Sequence, residues 1–349
     1  MKKFFTVSAK ISLGAVLAFA VWEIAARIFP VCALPITSGK STEYVAKPIL
    51  PNQSTIHSRG WLFQIGNRLE INADGFHSGT DYKRSEDGNA VAFVGDSMIE
   101  NIMVDSAHLL HPVLQGKFKA VSAEVPVYSF GNSSAGMGDI VNFMRLASEK
   151  YNVGNFIIKF DYQDILDDIH QNDGHFCYVL ENGAASIKLF PKNTRFEKFK
   201  SVAVLRYLFS NIQLLPNSFA KKLRAALGLK ESVGASNTAV GEKLSPAEAK
   251  LFDAFLSDAL KIVNSDTKRI LFLLGGGEKK QTISDKLAAR GFGVVDVDAA
   301  TECKLTSALS HFHNDSHWNA RGIERVCLAV AKTEFFAEIA RRAANKSAR

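Results

Sequence analysis

Five apolar runs of strand length, spread along the chain, constrain its fold more than any other feature. Runs such as Ala90–Val94 and Ile270–Leu274 are apolar at every position rather than at every second one. This pattern is typical of strands that are buried on both faces of a parallel sheet. The five runs are Ala90–Val94, Val125–Phe130, Phe156–Phe160, Ile270–Leu274 and Gly293–Val297.

Amphipathic stretches with helical spacing lie between these runs. They are Met98–Phe118, Gly138–Lys150, Pro246–Val263, Gln281–Arg290 and a last one from about Ala320 to Arg341. Ser245 and Glu248 form the pattern of a capping box, with Pro246 at the first helical position. Strands that alternate with helices predict a three-layer, doubly wound α/β/α fold with a central parallel five-stranded sheet.

Two regions do not follow this alternation. Residues 52–89 are polar and rich in turn residues, which predicts short hairpins beside the sheet. Residues 165–240 separate the third and fourth runs by far more than a crossover needs, so we expect an inserted helical cap there. Within it, Asn193–Leu208 and Leu214–Leu227 have helical character, and Glu231–Lys243 resembles a flexible loop.

The N-terminus has the pattern of a membrane signal. Lys2 and Lys3 precede an apolar stretch, Ile11–Phe29, that is interrupted only by Glu23 and Arg27 near its far end. We predict that residues 1–30 form an uncleaved signal anchor. A cleaved signal peptide and a buried helix of a soluble protein are the alternatives. The basic start would keep the N-terminus cytoplasmic and place the body in a periplasmic or extracellular space.

A tether and one catalytic domain are expected after the anchor. Residues 31–51 contain three prolines among polar residues and follow directly on Pro30, so they are predicted to be a tether, and residues 52–349 to be the domain. In that compartment one disulfide could form among Cys177, Cys303 and Cys327, although the sequence does not choose the pair.

Composition and charge exclude several classes of protein. The 349 residues are 47% hydrophobic and 22% charged, which excludes a disordered chain and a polytopic membrane protein. The net charge of +7 divides into +3 on residues 1–30 and +4 on residues 341–349, and the remaining body is neutral. The excess charge lies at the two ends, and the sequence lacks the interleaved basic and aromatic residues of a nucleic-acid groove. We therefore expect no nucleic-acid partner.

The sharpest local motif is Gly95-Asp96-Ser97, directly after the first run and at the start of a helical stretch. Ligands of open α/β sheets bind at the carboxyl ends of the strands, and a helix N-terminus there favours an oxyanion. Ser97 could therefore be a nucleophile, although Asp96 and Ser97 could equally serve only to cap the helix.

A second motif, Asp315-Ser316-His317-Trp318, precedes the last helix. His317 can act as a general base, and Asp315 can fix its tautomer. Together with Gly95-Asp96-Ser97 and the parallel-sheet pattern, this motif predicts a Ser97–His317–Asp315 triad.

These residues resemble the SGNH hydrolases, the GDSL esterase and lipase family, from about Ala90 to the C-terminus. The resemblance implies a flavodoxin-like α/β/α fold, with Ser97 as nucleophile and His317 and Asp315 as its partners. It also implies an oxyanion hole formed by Ser97, Ser134 and Gln163, where the family has a glycine and an asparagine at the last two positions. Supporting roles are expected for Asp96, Gly131, Asp164, His313 and Trp318.

The resemblance implies an acyl ester hydrolase whose substrate is an O-acylated glycan or a small ester. Because the spacing Asp-x-His-Trp is similar to that of SGNH-like O-acetyltransferases of envelope polysaccharides, a transferase with an acyl-donor partner is an alternative. A catalytically weak glycan-binding envelope protein is another, since Ser134 and Gln163 depart from the family pattern. We expect no cofactor and no metal ion, because the sequence has no zinc-ligand spacing.

Overall fold

The computed structural model describes residues 2–33, 35–38, 40–191, 201–212, 243–301, 310 and 317–347. These residues form two compact units. The first unit comprises the described parts of residues 1–34, 54–68 and 194–231, and the second those of residues 35–53, 69–193 and 232–349.

The strands and helices are numbered here in chain order. The strands are β1 (Ser54–Arg59), β2 (Ile65–Glu70), β3 (Ala90–Gly95), β4 (Val127–Gly131), β5 (Val153–Phe160), β6 (His175–Glu181), β7 (Ala184–Phe190), β8 (Ile270–Leu274) and β9 (Gly293–Asp296). The helices are α1 (Lys2–Ile28), α2 (Ser97–Glu100), α3 (Leu110–Ala120), α4 (Met137–Tyr151), α5 (Tyr162–Ile169), α6 (Ala203–Arg206), α7 (Pro246–Ile262), α8 (Lys280–Ala289), α9 (Val297–Thr301), α10 (Ala320–Ala331) and α11 (Glu334–Ser347).

A five-stranded parallel sheet forms the centre of the second unit. Its strand order is β4-β3-β5-β8-β9, and every neighbouring pair is parallel. The five strands coincide with the five apolar runs to within two residues at either end, except that β5 begins at Val153 rather than Phe156. The predicted α/β fold with a central parallel five-stranded sheet is therefore confirmed.

Helices cover both faces of this sheet, as shown by the alternating side chains of β3. Ala90, Ala92 and Val94 belong to a core cluster that includes apolar residues of α4 and α7. Val91 and Phe93 belong to a second cluster with residues of α3, α10 and α11. Since successive side chains of a strand point to opposite faces, the unit has three layers.

Two of the predicted helices are interrupted. The stretch Met98–Phe118 contains α2, a 3₁₀ turn at Ser106–His108, and α3. The first break falls at Asn101, whose backbone adopts the left-handed conformation (φ 37°) that ends α2. The last predicted helix divides into α10 and α11, and the Thr333 hydroxyl accepts a hydrogen bond from the Phe336 N–H at the start of α11.

The long insertion contains a β-hairpin, whereas a helical cap is expected there. Strands β6 and β7 pair antiparallel from His175 opposite Phe190 to Glu181 opposite Ala184. Asn182 and Gly183 turn the chain with positive φ angles of 50° and 78°. Farther along, α6 continues into one π-helical turn, Tyr207–Asn211, at the end of the predicted helix Asn193–Leu208. The predicted helix Leu214–Leu227 lies outside the described residues.

The segment predicted as a tether, residues 31–51, contains buried residues and backbone hydrogen bonds of its own. Val31 and Cys32 are buried. The N–H of Ser38 donates to the Pro48 carbonyl, and the N–H of Leu50 donates to the Ile36 carbonyl. These two bonds flank a single antiparallel bridge between Thr37 and Ile49, so this part of the segment folds back on itself.

Helix α1 is long and apolar enough to cross a membrane. Its candidate span, Thr6–Ile28, has 23 residues with a mean hydropathy of 1.7. A signal sequence has the same properties. Among the described residues, Cys32, Cys177 and Cys327 are buried free thiols.

Candidate active site

Three loops lie side by side at one edge of the sheet, because β4, β3 and β5 are adjacent and parallel. Gly95, at the end of β3, is paired in register with Gly131, at the end of β4. The sequence motifs that follow β3, β4 and β5 therefore meet at the carboxyl edge of the sheet, where ligands of open α/β sheets bind.

Ser97 and His317 meet at this edge. Ser97 is the first residue of α2, and its Oγ lies 2.8 Å from Nε2 of His317. His317 lies two residues before Asn319, whose side chain caps α10 by accepting the Gly322 N–H. This separation suits proton transfer from a serine hydroxyl to an imidazole. Asp315 and His313 lie outside the described residues, so their roles stay predictions.

Asp96 has two contacts that hold the turn before Ser97. Its Oδ1 accepts a hydrogen bond from the Met98 N–H at 2.9 Å, so it caps α2 as the capping interpretation predicts. Its Oδ2 accepts from Nζ of Lys159 at 2.8 Å. Capping and catalysis are compatible here, because the cap uses the Asp96 carboxylate and leaves the Ser97 hydroxyl beside His317.

Lys159 lies beneath this turn, and the sequence pattern did not single it out. Its side chain is only 4% exposed, and its Nζ also lies 2.5 Å from the Asp161 carboxylate. Burial alone would lower the pKa of Lys159, but the carboxylates of Asp96, Asp164 and Asp161 outweigh this and raise it. Lys159 is therefore a buried cation that joins the loop after β3 to the loop after β5.

The loop after β5 is organised by helix capping. Asp161 caps α5 by accepting the Gln163 N–H at 2.7 Å, and Asp164 accepts the Asp161 N–H in return at 2.6 Å. Burial and the nearby Asp161 charge raise the pKa of Asp164. The carboxamide of Gln163 is exposed and donates to Asp167 at 2.8 Å, one turn along α5.

The loop after β4 is held by Glu100, a second residue that the sequence pattern did not single out. Its carboxylate accepts hydrogen bonds from the backbone N–H of Ser133, at 2.9 Å, and from the Ser133 hydroxyl. Burial raises the pKa of Glu100, although the hydrogen bonds from Ser133 oppose this. Gly131 lies so close to α2 that an added Cβ would fall 2.3 Å from the Glu100 nitrogen, which explains the glycine there.

Ser134 occupies the position where the resembling family has glycine. It is exposed and adopts the left-handed backbone conformation, with φ 64°. Glycine adopts this conformation without the steric cost that a Cβ atom introduces. The local backbone thus has a glycine-like geometry although the residue is serine.

Asn101 links the serine side of the site to the histidine side. It is fully buried, and its Nδ2 donates to the Trp318 carbonyl at 3.0 Å. Trp318 is itself buried and follows His317 directly. The bond therefore connects the end of α2, which starts at Ser97, to the residue next to the histidine.

No group of three His, Cys, Asp or Glu side chains among the described residues is arranged to hold a metal ion. His175, near the start of the insertion, instead pairs with Asp139 at 2.6 Å, with both side chains buried. This pair attaches the first residue of β6 to the first turn of α4.

The fold and the site together define an α/β protein with a serine and a histidine paired at the carboxyl edge of a parallel sheet. No protein-family model matches the chain, and no curated protein matches it. The solved structures that are similar include a G-D-S-L family protein from Desulfitobacterium hafniense DCB-2, at 10% identity and a TM-score of 0.35, over 70% of this chain and 98% of that one.

Two further solved structures are similar to the chain. A lipase/acylhydrolase from Enterococcus faecalis has 13% identity and a TM-score of 0.37, over 72% of this chain and 96% of that one. The acetyl xylan esterase Est2A from Butyrivibrio proteoclasticus has 10% identity and a TM-score of 0.27, over 81% and 67%. The strand order and register of this chain themselves establish its parallel α/β fold.

Proposed function

We propose that this protein is a serine-dependent acyl ester hydrolase that acts on an O-acyl group of a glycan or a small ester. The observation that supports this best is the 2.8 Å separation of the Ser97 hydroxyl and Nε2 of His317 at the carboxyl edge of the sheet. A serine alone is a weak nucleophile, and an adjacent imidazole is the group that activates it.

In the proposed reaction, His317 takes the Ser97 proton while Oγ attacks the ester carbonyl. The alcohol leaves with the proton that His317 returns, and Ser97 keeps the acyl group. Water, deprotonated by His317, then releases the acyl group as a carboxylic acid. Asp315 is proposed to orient the imidazole.

The oxyanion is proposed to bind the N–H groups of Ser97 and Ser134 and the carboxamide of Gln163. The left-handed backbone of Ser134 favours this role, because it is the conformation that a glycine at this position would adopt. Gln163 would first have to leave Asp167, its present partner. Removing one such donor typically lowers the rate by about 10²–10³-fold.

An O-acetyltransferase is a second candidate, with a sugar hydroxyl in place of the water. The motif Asp315-Ser316-His317-Trp318 favours it, because it departs from the usual esterase spacing. A glycan-binding protein with little activity is the third candidate. The Gln163 carboxamide supports it, because its amide group donates to Asp167 rather than pointing to an oxyanion site.

One assay separates these functions. The purified full chain in detergent is incubated with p-nitrophenyl acetate, with and without an acceptor sugar. Hydrolysis without the sugar supports the esterase, turnover that requires the sugar supports the transferase, and no serine-dependent turnover supports the binding protein.

Ser97→Ala should lower kcat/KM by more than about 10³-fold, whereas Ser148→Ala, the same change on α4, should leave it unchanged. A fluorophosphonate probe should label the wild-type chain at Ser97 and leave the Ser97→Ala variant unlabelled. Full activity in Ser97→Ala would refute the assignment of the nucleophile.

We also propose that α1 anchors the protein and that its body lies outside the cytoplasm. The basic residues Lys2, Lys3 and Lys10 and the apolar span Thr6–Ile28 support this orientation. Two measurements test this. An anchored chain resists extraction with alkaline carbonate, and a body outside the cytoplasm is digested by protease added on that side of the membrane.

A further inference from the structure

The end of helix α1 is part of a folded unit rather than a free stalk. Ala26 is buried in a small core with Ala203 and Val204. The Glu23 carboxylate accepts hydrogen bonds from the N–H groups of Ala203, at 3.1 Å, and of Val204, at 2.9 Å. The last two turns of α1 are thus fixed to the start of α6.

The tip of the β1–β2 hairpin packs against the same end of α1. The ring of Phe63 stacks on that of Phe29, with centroids 6.1 Å apart and planes within 13°. The Tyr207 hydroxyl donates to the Trp61 carbonyl at 2.8 Å. These contacts fix Trp61 and Leu62 beside the point where α1 ends.

The hairpin tip and the end of α1 expose four large apolar side chains, which we call the juxtamembrane patch. They are Ile28, Phe29, Trp61 and Leu62, with exposed fractions of 78%, 57%, 63% and 66%. A cluster of large exposed apolar residues marks an interaction surface. Since the patch continues the apolar surface of α1, the partner with matching chemistry is the lipid around that helix.

The length of α1 places the patch at the depth of the lipid headgroups. From Thr6 to Trp22 the helix rises about 24 Å, close to the thickness of a hydrocarbon core. Lys10, the charged residue within this stretch, lies one turn from its start, where a long side chain reaches back to the headgroups. Glu23, the first charged residue after this stretch, would lie at the boundary. Phe29 follows about 9 Å further along the axis, within the headgroup layer, where tryptophan and tyrosine are enriched.

We propose that the juxtamembrane patch inserts into the headgroup region of the lipid bilayer that α1 spans. The proposal rests on the membrane anchor of the proposed function. The first unit then sits on the membrane surface through the hairpin tip as well as through the helix.

Tryptophan fluorescence of the full chain in lipid vesicles tests this. The chain has three tryptophans, Trp22 in α1, Trp61 in the patch and the buried Trp318. The Trp22→Phe variant is reconstituted in phosphatidylcholine vesicles, with and without bromine atoms on the upper acyl carbons. The Trp22→Phe, Trp61→Phe double variant gives the background emission of Trp318. After this background is subtracted, the Trp61→Phe variant gives the emission of Trp22.

We expect brominated lipid to remove most of the Trp61 emission, and aqueous acrylamide to quench it little. If Trp22 is quenched by the lipid while Trp61 is quenched only by acrylamide, the anchor stands and the patch proposal is overturned. If neither is quenched by the lipid, the anchor itself is wrong. Circular dichroism confirms that each variant is folded.

Discussion

Replacing Lys159 by methionine should destabilise the second unit strongly. The change keeps the approximate length of the side chain and removes the charge between Asp96 and Asp161, at 2.8 Å and 2.5 Å from Nζ. Removing one partner of a buried ion pair typically costs about 3–5 kcal/mol, because the other charge stays buried without compensation. The two carboxylates are 17% and 21% exposed and can recover some hydration, so we expect the lower end, about 3 kcal/mol.

The measurement is thermal unfolding of the full chain in detergent, followed by circular dichroism. For a domain of this size, 3 kcal/mol corresponds to a fall in Tm of about 6–12 °C. The matched control is Lys286→Met, since Lys286 lies 3.3 Å from Asp253 with both side chains partly exposed. An exposed pair of this kind contributes about 0–1 kcal/mol.

The same change should also lower the rate of the proposed ester hydrolysis, because Asp96 holds the turn before Ser97 and loses one of its two contacts. We expect kcat to fall by more than about tenfold, since shifts of about 1 Å in reacting groups have effects of this size. If Lys159→Met unfolds at the same temperature as Lys286→Met, the argument from burial is wrong.

Three further substitutions probe the site and its surroundings. Ser134→Gly should stabilise the protein by about 0.5–1 kcal/mol and keep ester hydrolysis, because it removes a Cβ from a left-handed residue and keeps the N–H; a fall in Tm would contradict this. Asn101→Gly keeps the left-handed conformation but leaves the Trp318 carbonyl unpaired, so it should cost about 1–3 kcal/mol and lower kcat; unchanged kcat would show that the bond does not position His317. In Tm measured against pH, the wild type should lose stability as the pH rises above about 4, and Asp168→Asn should remove this loss; an equal slope in both proteins would refute it.

The sign of the Asp168 effect follows from its surroundings. Burial raises the pKa of this carboxyl, although its Oδ2 accepts the N–H groups of both Tyr178 and Gly138. At low pH the group is protonated in both states. As pH rises above about 4 it ionises first in the unfolded chain, which favours unfolding until the pKa of the folded state is passed. Asparagine keeps an acceptor oxygen for both N–H groups and carries no charge.

The central sheet and the meeting of Ser97 with His317 could be predicted because both depend on local sequence signals. Continuous apolar runs identify strands buried on both faces, and parallel strands bring the residues after them to one edge. No knowledge of side-chain packing is needed for either inference.

The contacts around the serine could not be predicted in the same way. A single lysine within the run Phe156–Phe160 does not show that it will meet Asp96, 63 positions earlier. The bond from Asn101 to the Trp318 carbonyl spans 217 positions and involves a backbone atom, so no residue pattern marks it. Both depend on tertiary packing.

The β6–β7 hairpin is a different case, because its signal is present in the sequence. Asn182-Gly183 is a strong turn signal between two stretches of strand length. The length of the insertion instead favours a helical cap, so the turn signal of Asn182-Gly183 is not used in the prediction. In residues 31–51 the prolines predict a tether, and the structure adds backbone hydrogen bonds within the segment, which no proline pattern indicates.

The separation of Ser97 and His317 by 220 positions has a consequence for the synthesis of the protein. The serine is made early, and β3 can pair with β4 and β5 as soon as these have followed it. The histidine comes after β8 and β9, close to the last helix pair. A chain that is still being made therefore contains Ser97 before it contains His317. Chemistry that requires both residues can begin only when nearly the whole chain has emerged and folded.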